Sequence, residues 1–568
     1  MSKEQGSESA VSGSQFIREE EMAEEKEAPK KATRREFVKG ATVGAAGAAA
    51  AGALVSCAAP PGEVGLQGPA GPAGPAGPAG PAGTTEIEWD YETDVLVVGI
   101  GFAGLCAANR ALDQDVDVMV IEKLPRGFWA PGGSFVISGQ GVFQPPDKPY
   151  PQLVAAVGLE TIKRCNLWLS DTGVELGGPT NVEGIPGGTV MPAKPYAESS
   201  FIWRNLRPGG PYDATQYGGA TASLLLEQRL IDGGAKILYE TPANKLWTNE
   251  QGEVVGVLAK GKEGPVNIKA KATVLCTGGF SLNEEMVAKY VASPAREFAN
   301  ASQCTPGATG DGLRMALEVG AAASGFGVIY AWMAPAIAAE EPFHDLGGYL
   351  KLDSLKAGII VTDNGERYCD ESLGRHVYGT LLVKRQAQQI RKIGFYIIDS
   401  ALYQDLKATV DELVALGPEY DADLVYEADT IEELAQKAGI AGYLDNTVAE
   451  FNKAVDEGKT AQIRIPRTEP VSKIATPPFY AVPFVMGTNK SNGGPNIDSS
   501  TRVLNTEGEP IPGLYAAGEV TFNSVVKGVP FRPNDLPHIS AGGGTGDLDN
   551  CLVFGVVAAE KAAEFAKA

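Results

Sequence analysis

What the chain has little of narrows its function first. Among 568 residues there are three histidines, and the seven cysteines are scattered without a Cys-x-x-Cys pair. That spacing offers neither a zinc site nor a c-type haem attachment, so no metal site is expected. If electrons enter from a haem, the haem belongs to another protein. Positive charge is short as well: 48 Lys and Arg against 70 Asp and Glu leave a formal net charge of -22. Such a surface repels nucleic acid and anionic membranes, and neither is expected as a partner. The weakly hydrophobic stretch Ala41–Val55 is too short and too rich in alanine to span a bilayer.

What is there begins with an export signal. Residues 1–33 are charged and poor in aromatics, a disordered composition. Arg34-Arg35 followed by Phe37 and the Ala/Gly stretch resembles a twin-arginine signal, which carries proteins already folded around a cofactor. The expected location is the periplasm or the outer face of the cytoplasmic membrane. Leu54-Val55-Ser56-Cys57 looks like a lipobox, so that a lipidated Cys57 would tether the chain; an ordinary cleavage site of small residues is the alternative, and the signal is taken as 1–57. Residues 58–89 form a stalk, with glycine at every third position from Gly62 to Gly83. It reads as a polyproline II tether of about 3.1 Å per residue, or as a collagen-like triple helix that would make an oligomer.

The folded part opens on Asp94–Lys123. Val95–Val98 reads as a buried parallel strand, Gly99, Gly101 and Gly104 form G-x-G-x-x-G, Leu105–Leu112 reads as a helix, and the strand Val116–Ile121 ends in Glu122. In this dinucleotide fingerprint Gly99 permits the tight turn, Gly101 lets the backbone approach a pyrophosphate, and Gly104 brings the helix onto the strand. Glu122 would accept a hydrogen bond from the adenosine ribose. Gly132-Gly133-Ser134 and Ser138-Gly139-Gln140-Gly141 make a glycine-rich loop. Ala220–Asp232 reads as a helix, Ala235–Glu240 and Val254–Lys260 as strands, and Lys271–Cys276 as a buried strand lying beside the first and ending in Thr277-Gly278-Gly279-Phe280.

With Thr309-Gly310-Asp311-Gly312 and the late Pro512–Glu519 (PGLYAAGE), these motifs resemble the fumarate reductase/succinate dehydrogenase flavoprotein family, which includes urocanate reductases and 3-ketosteroid dehydrogenases. The resemblance covers nearly all of 90–565. It implies an α/β fold: a Rossmann-like FAD-binding domain in two sequence segments, 90–330 and 476–568, closed by an inserted α+β capping domain over 331–475. Thr430–Ala435 and Asn446–Gly458 look like cap helices. The resemblance further implies FAD contacts from Gly99, Gly101, Ala103, Gly104, Glu122 and Lys123; from Gly132, Gly133, Ser134, Ser138, Gly139 and Gly141; and from Ala243, Thr277, Gly278, Gly279, Asp311, Gly518, Glu519 and Leu548. The flavin would be non-covalent, because Trp129-Ala130-Pro131-Gly132-Gly133 lacks the attachment histidine of the complex-bound members.

For chemistry, the resemblance places Arg375 where the family's reductases carry their proton donor and the ketosteroid 1-dehydrogenases a tyrosine. Arginine is a poor acid alone, so it would act as a relay, with Glu371 one helical turn away as its partner. His376 and Tyr480 are further candidates for the site, with His538, Tyr330, Trp332 and Tyr378 around it. The family's fumarate contacts are lost: a His-Pro-Thr becomes Ala334-Pro335-Ala336, the relay Glu and Arg fall at Lys351 and Ser354, and His-Thr-Met-Gly-Gly becomes Lys490-Ser491-Asn492-Gly493-Gly494. Arg532 only approximates the late substrate arginine. The reading is an exported FAD enzyme that reduces an activated C=C bond of a small molecule larger or less anionic than fumarate, with electrons from a separate cytochrome or flavoprotein. Ketosteroid-type desaturation with a tyrosine base is the first alternative; a stalk-mounted flavin-binding protein without catalysis is the second.

Overall fold

The computed structural model describes residues 87–137, 151–174, 176–177, 189–190, 218–291, 305–327, 329–335, 358–373, 393–416, 423–469, 471–522, 524–529 and 548–568. The signal, Cys57 and the stalk lie outside these residues, as do Ser138, Gly139, Gly141, Arg375, His376 and Arg532.

The first sheet draws strands from both ends of the folded chain. β1 (Tyr91–Val98) alternates in its outer half and is buried on both faces from Val95 to Val98, the pattern of a strand whose inner end is covered by helices. It pairs in parallel with β2 (Val118–Ile121), and β2 with β3 (Lys236–Leu238). β4 (Ala243–Thr248) and β5 (Val254–Lys260) form an antiparallel ribbon that joins β6 (Pro265–Leu275). β6 also runs parallel to β1 on one side and to β15 (Pro510–Ala516) on the other, and β14 (Arg502–Leu504) closes that edge. The order is therefore β14-β15-β6-β1-β2-β3. Helix α1 (Phe102–Leu112) packs on this sheet with α2 (Leu159–Asp171), α3 (Gly218–Asp232) and the C-terminal α9 (Leu548–Lys567). A Cβ at Gly555 of α9 would sit 2.7 Å from the Ala103 carbonyl oxygen, so glycine there lets the two helices touch backbone to side.

The second sheet is antiparallel. β8 (Ile329–Pro335), β12 (Phe479–Ser491), β10 (Gly394–Asp399) and β9 (Ile359–Val361) lie in that order, and β11 (Tyr426–Ala428) adds to β12. A short pair, β7 (Ala323–Ser324) with β13 (Gly494–Pro495), connects it to the first sheet's side. β8 and β12 lie wholly in this second sheet, β8 following β7 and β12 preceding β13. A separate apolar core fills this half, built on Phe395–Ile398, Phe479–Val482, Phe451 and the helices α6 (Ser400–Leu416), α7 (Ile431–Ala438) and α8 (Leu444–Asp456). It also takes in Phe280, Val287 of α4 (Glu284–Val291) and Leu313 of α5 (Asp311–Glu318). α7 is delimited by its sequence: Thr430 accepts from the Glu433 N–H at 3.1 Å, and Gly439 (φ 66°) ends the helix in the left-handed region.

Candidate functional site

A cleft of about 980 Å³ opens where the carboxyl ends of β1, β2 and β6 meet the second sheet. The end of a parallel sheet is where α/β folds bind ligands, and each wall follows from a short piece of sequence. The fingerprint turn forms the floor. Gly99 has φ 98°, and a Cβ there would lie 2.5 Å from the Cys276 carbonyl oxygen. A Cβ at Gly104 would lie 1.9 Å from the Gly99 carbonyl oxygen, so Gly104 sits behind the cleft and sets the approach of α1 to β1. At Gly101 a Cβ would meet nothing within 4 Å and would instead fill the cleft. The N-terminus of α1 opens there, capped by no side chain, with its N–H groups and dipole available to an anion.

The glycine-rich loop closes over this turn. Gly132 donates to the Ile100 carbonyl at 2.9 Å and bridges Gly101, while the Ser134 hydroxyl accepts from the Thr305 N–H at 3.1 Å. Phe135 stacks on Phe102 at 4.0 Å, and both line the cleft. At the end of β2, Glu122 accepts from the Ile100 N–H (3.0 Å) and the Leu124 N–H (2.8 Å). Burial pushes its carboxyl above the ordinary value although these N–H groups pull the other way. The carboxylate keeps acceptor capacity for a ligand beyond these bonds. Lys123 reaches across to Asp311 at 2.6 Å and to the Thr309 hydroxyl, so these two expected contacts neutralise each other on the rim. Ala243, Thr277 and Gly278 line the same space.

The far wall is built from late sequence. Glu519 and Leu548 line it, with Lys490 and Cys551. Burial raises the Glu519 carboxyl above its ordinary value, and the Lys490 charge draws it back down. Ser491 ties this wall to β6: its N–H donates to Glu519 at 3.3 Å and its hydroxyl accepts from the Phe280 N–H at 2.7 Å. Gly279 and Gly518 stand behind the surface. A Cβ at Gly279 would be 2.3 Å from both the Glu519 carboxylate and the Ser491 hydroxyl, and one at Gly518 would be 2.6 Å from Ala103.

Of the expected catalytic residues, Glu371 and Tyr480 are described, and neither lines this cleft. Glu371 is fully buried in the second core, and four N–H donors occupy its carboxylate: Ile360 at 2.8 Å and Arg367 Nε at 3.2 Å on one oxygen, Arg367 Nη2 at 2.5 Å and Arg467 at 2.9 Å on the other. It fastens the turn at 367–373 to the returning segment around Arg467. Tyr480 is buried in β12 and stacks on Tyr403 at 4.6 Å, outside the cleft lining. Burial raises its phenol, the direction that disfavours a base.

Sequence reasoning missed Phe102, Trp129, Phe135, Thr305 and Lys490 as cleft residues. Trp129 and Phe135 flank the glycine-rich loop, and that adjacency was the available signal. Cys276 packs in the first core and Cys551 against it, and both line the cleft as well.

The cleft fits a dinucleotide on its own terms. Gly101 leaves a cradle that any side chain would fill, beside the open N-terminus of α1. Comparison with known proteins agrees. The family described as "FAD binding domain" matches residues 94–530. A fumarate reductase (cytochrome) from Shewanella frigidimarina is 27% identical over 498 residues, covering 84% of this chain and 77% of its own. A 4-oxocyclohex-2-ene-1-carboxylate 5-dehydrogenase from Sinomonas cyclohexanicum is 26% identical over 579 residues, covering 84% of this chain and 94% of its own. Among solved structures, 3-ketosteroid Δ1-dehydrogenase from Sterolibacterium denitrificans, in complex with 1,4-androstadiene-3,17-dione, shares the fold with a TM-score of 0.62 at 21% identity, over 83% of this chain and 99% of that one. The chain belongs to the FAD-binding flavoprotein family of the fumarate reductases and ketosteroid dehydrogenases, and is an FAD-dependent oxidoreductase acting on CH–CH bonds.

Proposed function

We propose that this oxidoreductase works as a reductase of an activated carbon–carbon double bond, outside the cytoplasm, with FAD held non-covalently. What supports this direction is the sequence: Arg375 stands where the family's reductases carry their proton donor and the ketosteroid 1-dehydrogenases a tyrosine, two positions after the segment 367–373 that Glu371 ties to the second sheet. Bound FAD supplies the hydride. Glu122 fixes the adenosine ribose, the α1 N-terminus and Gly101 take the pyrophosphate, and the stacked Phe102–Phe135 pair shields the cleft from water. One alkene carbon takes the hydride, the π pair moves to the other, and Arg375 gives that carbon its proton. Solvent or a neighbouring acid then reprotonates the guanidine. Glu371 contributes by position, since a carboxylate with four N–H donors has no lone pair left to carry a proton.

The substrate is a small molecule larger or less anionic than fumarate, in keeping with Ala334 and Ala336 at positions of the lost dicarboxylate contacts. Electrons come from a separate cytochrome or flavoprotein. Export runs through the twin-arginine route, and a lipidated Cys57 with the Gly-Pro-Ala stalk holds the enzyme at the outer face of the cytoplasmic membrane. Desaturation is the second reading, favoured by the dehydrogenases among the relatives and by the Gly487–Pro495 stretch. The test is anaerobic: chemically reduced holoenzyme offered enoates, against oxidised holoenzyme offered ketosteroids and a dye. Flavin reoxidation by an enoate, lost in Arg375→Ala, supports the reductase; dye reduction alone, or full turnover by Arg375→Ala, overturns it.

A further inference from the structure

We propose that Glu227 of α3, which lies outside the cleft lining, is a positioning residue for the adenosine end of bound FAD. Glu122 marks that end, since the fingerprint sets the ribose there, and the role is the same whichever way the chemistry runs.

Two separate segments build this end of the cleft. Residues 124–135 follow β2 and supply Leu124, Trp129, Gly132, Gly133, Ser134 and Phe135 to the lining; residues 239–243 follow β3 and supply Thr241 and Ala243. Their backbones meet around Glu122. Its N–H donates to the Leu238 carbonyl at 2.9 Å, its carbonyl accepts from the Thr241 N–H at 2.8 Å, and the Glu240 N–H donates to the Leu124 carbonyl at 3.3 Å. Beyond Leu124 the first segment turns on itself: the N–H groups of Phe128, Gly127 and Gly133 donate to the carbonyls of Pro125, Ala130 and Trp129 at 3.2, 2.8 and 2.7 Å. Trp129 is held in the left-handed region at φ 59°, a conformation that a bulky residue keeps only where its surroundings impose it.

Glu227 fastens both segments at once. Its side chain is 1% exposed. Arg126 forks onto it, Nε donating to Oε1 at 2.6 Å and Nη2 to Oε2 at 2.7 Å, and the Tyr239 hydroxyl donates to Oε1 at 2.6 Å. Burial first, and then the Glu227 charge, push the Tyr239 phenol up, which keeps it a donor. Arg126 precedes Trp129 by three residues, and Tyr239 precedes Thr241 by two. α3 also packs against Gly133–Ile137, so the same helix backs the far end of the first segment. A buried ion pair adds little net stability, because desolvation offsets its attraction; what a bidentate pair fixes is geometry. The geometry fixed here is the placement of two stretches that face one ligand.

The experiment measures the affinity of flavin-free protein for FAD by equilibrium dialysis and for ADP by competition, together with Tm. ADP carries the adenosine and the phosphates without the ring, so it reads this end alone. Glu227→Gln removes the charge at nearly constant shape, and should weaken FAD and ADP by the same factor, about tenfold. Arg126→Met should act likewise, and the double variant should be no worse than the worse single one. Arg126→Lys keeps the charge without the fork and should fall between wild type and Arg126→Met. A lowered Tm with both affinities unchanged makes Glu227 a structural anchor and overturns the proposal. So do losses that add in the double variant, or a loss for FAD that leaves ADP untouched. If Glu227→Gln does not fold, Arg126→Met and Tyr239→Phe remove the partners of the same carboxylate and are judged by the same two affinities.

Discussion

Glu371→Gln should open the second layer locally, and the size of the effect follows from its surroundings. Glu371 and Arg467 are fully buried and Arg367 nearly so. Two guanidinium groups therefore share one carboxylate, with the Ile360 N–H as a further donor. Neutralising the acid leaves two like charges buried without a counter-ion. Removing one partner of a buried pair costs about 3–5 kcal/mol, and this variant belongs at the upper end. Arg467→Met removes one guanidinium but leaves Glu371 paired with Arg367, and should cost about 3 kcal/mol or less. Amide exchange of the peptide spanning 358–373 reads this directly, since the Ile360 N–H is one of the four donors. At 1.4 kcal/mol per factor of ten, protection in Glu371→Gln should drop by a factor of about a thousand or more, against about a hundred in Arg467→Met. Less than a tenfold loss in Glu371→Gln, or a larger loss in Arg467→Met, would refute the view that this carboxylate is what binds the turn at 367–373 to the rest of the layer.

Three further outcomes are expected. Thr277→Val replaces a buried hydroxyl that packs against Gly312 and that no protein group satisfies; the protein should keep or slightly raise its Tm, and FAD affinity by equilibrium dialysis should be unchanged. Gly104→Ala forces a methyl group to within 1.9 Å of the Gly99 carbonyl oxygen, so purified protein should be depleted of flavin and less stable by about 1–3 kcal/mol in denaturant unfolding. Glu560 loses proton affinity on burial beside Arg164 and Arg110: desolvation raises its pKa, but the two guanidiniums outweigh it and the folded value lies below 4.5. Its contribution is complete above 4.5 and is lost as pH falls through the folded value. The stability curves of wild type and Glu560→Gln should therefore be separated at neutral pH and converge in acid.

The parts of this fold that were legible in sequence are those where one local pattern serves one purpose. The glycines of the first turn, the apolar runs of β1 and β6, and Thr430 with Gly439 at the ends of α7 each carry their reason within a few residues. Glu371 was misread as a proton relay because sequence spacing shows its neighbours at 367 and 375 equally well, and its second guanidinium, Arg467, comes from far along the chain. Tyr480 lies in a stretch buried on both faces, Phe479–Val482, where no alternation tells which side a ring takes. Lys490 registered as a departure from a family motif rather than as a charge with a location, since only the folded strand brings it beside Glu519.

β6 has a consequence for how the protein must be made. Thr273–Leu275 pairs with Leu96–Val98 of β1 on one side and with Leu514–Ala516 on the other, and the helix beginning at Leu548 covers the same sheet. The fingerprint end of the cleft is therefore encoded well before its far wall. A chain interrupted anywhere in between displays half a binding site with an open sheet edge. Occupancy by FAD thus requires that the chain be made at least as far as the helix beginning at Leu548.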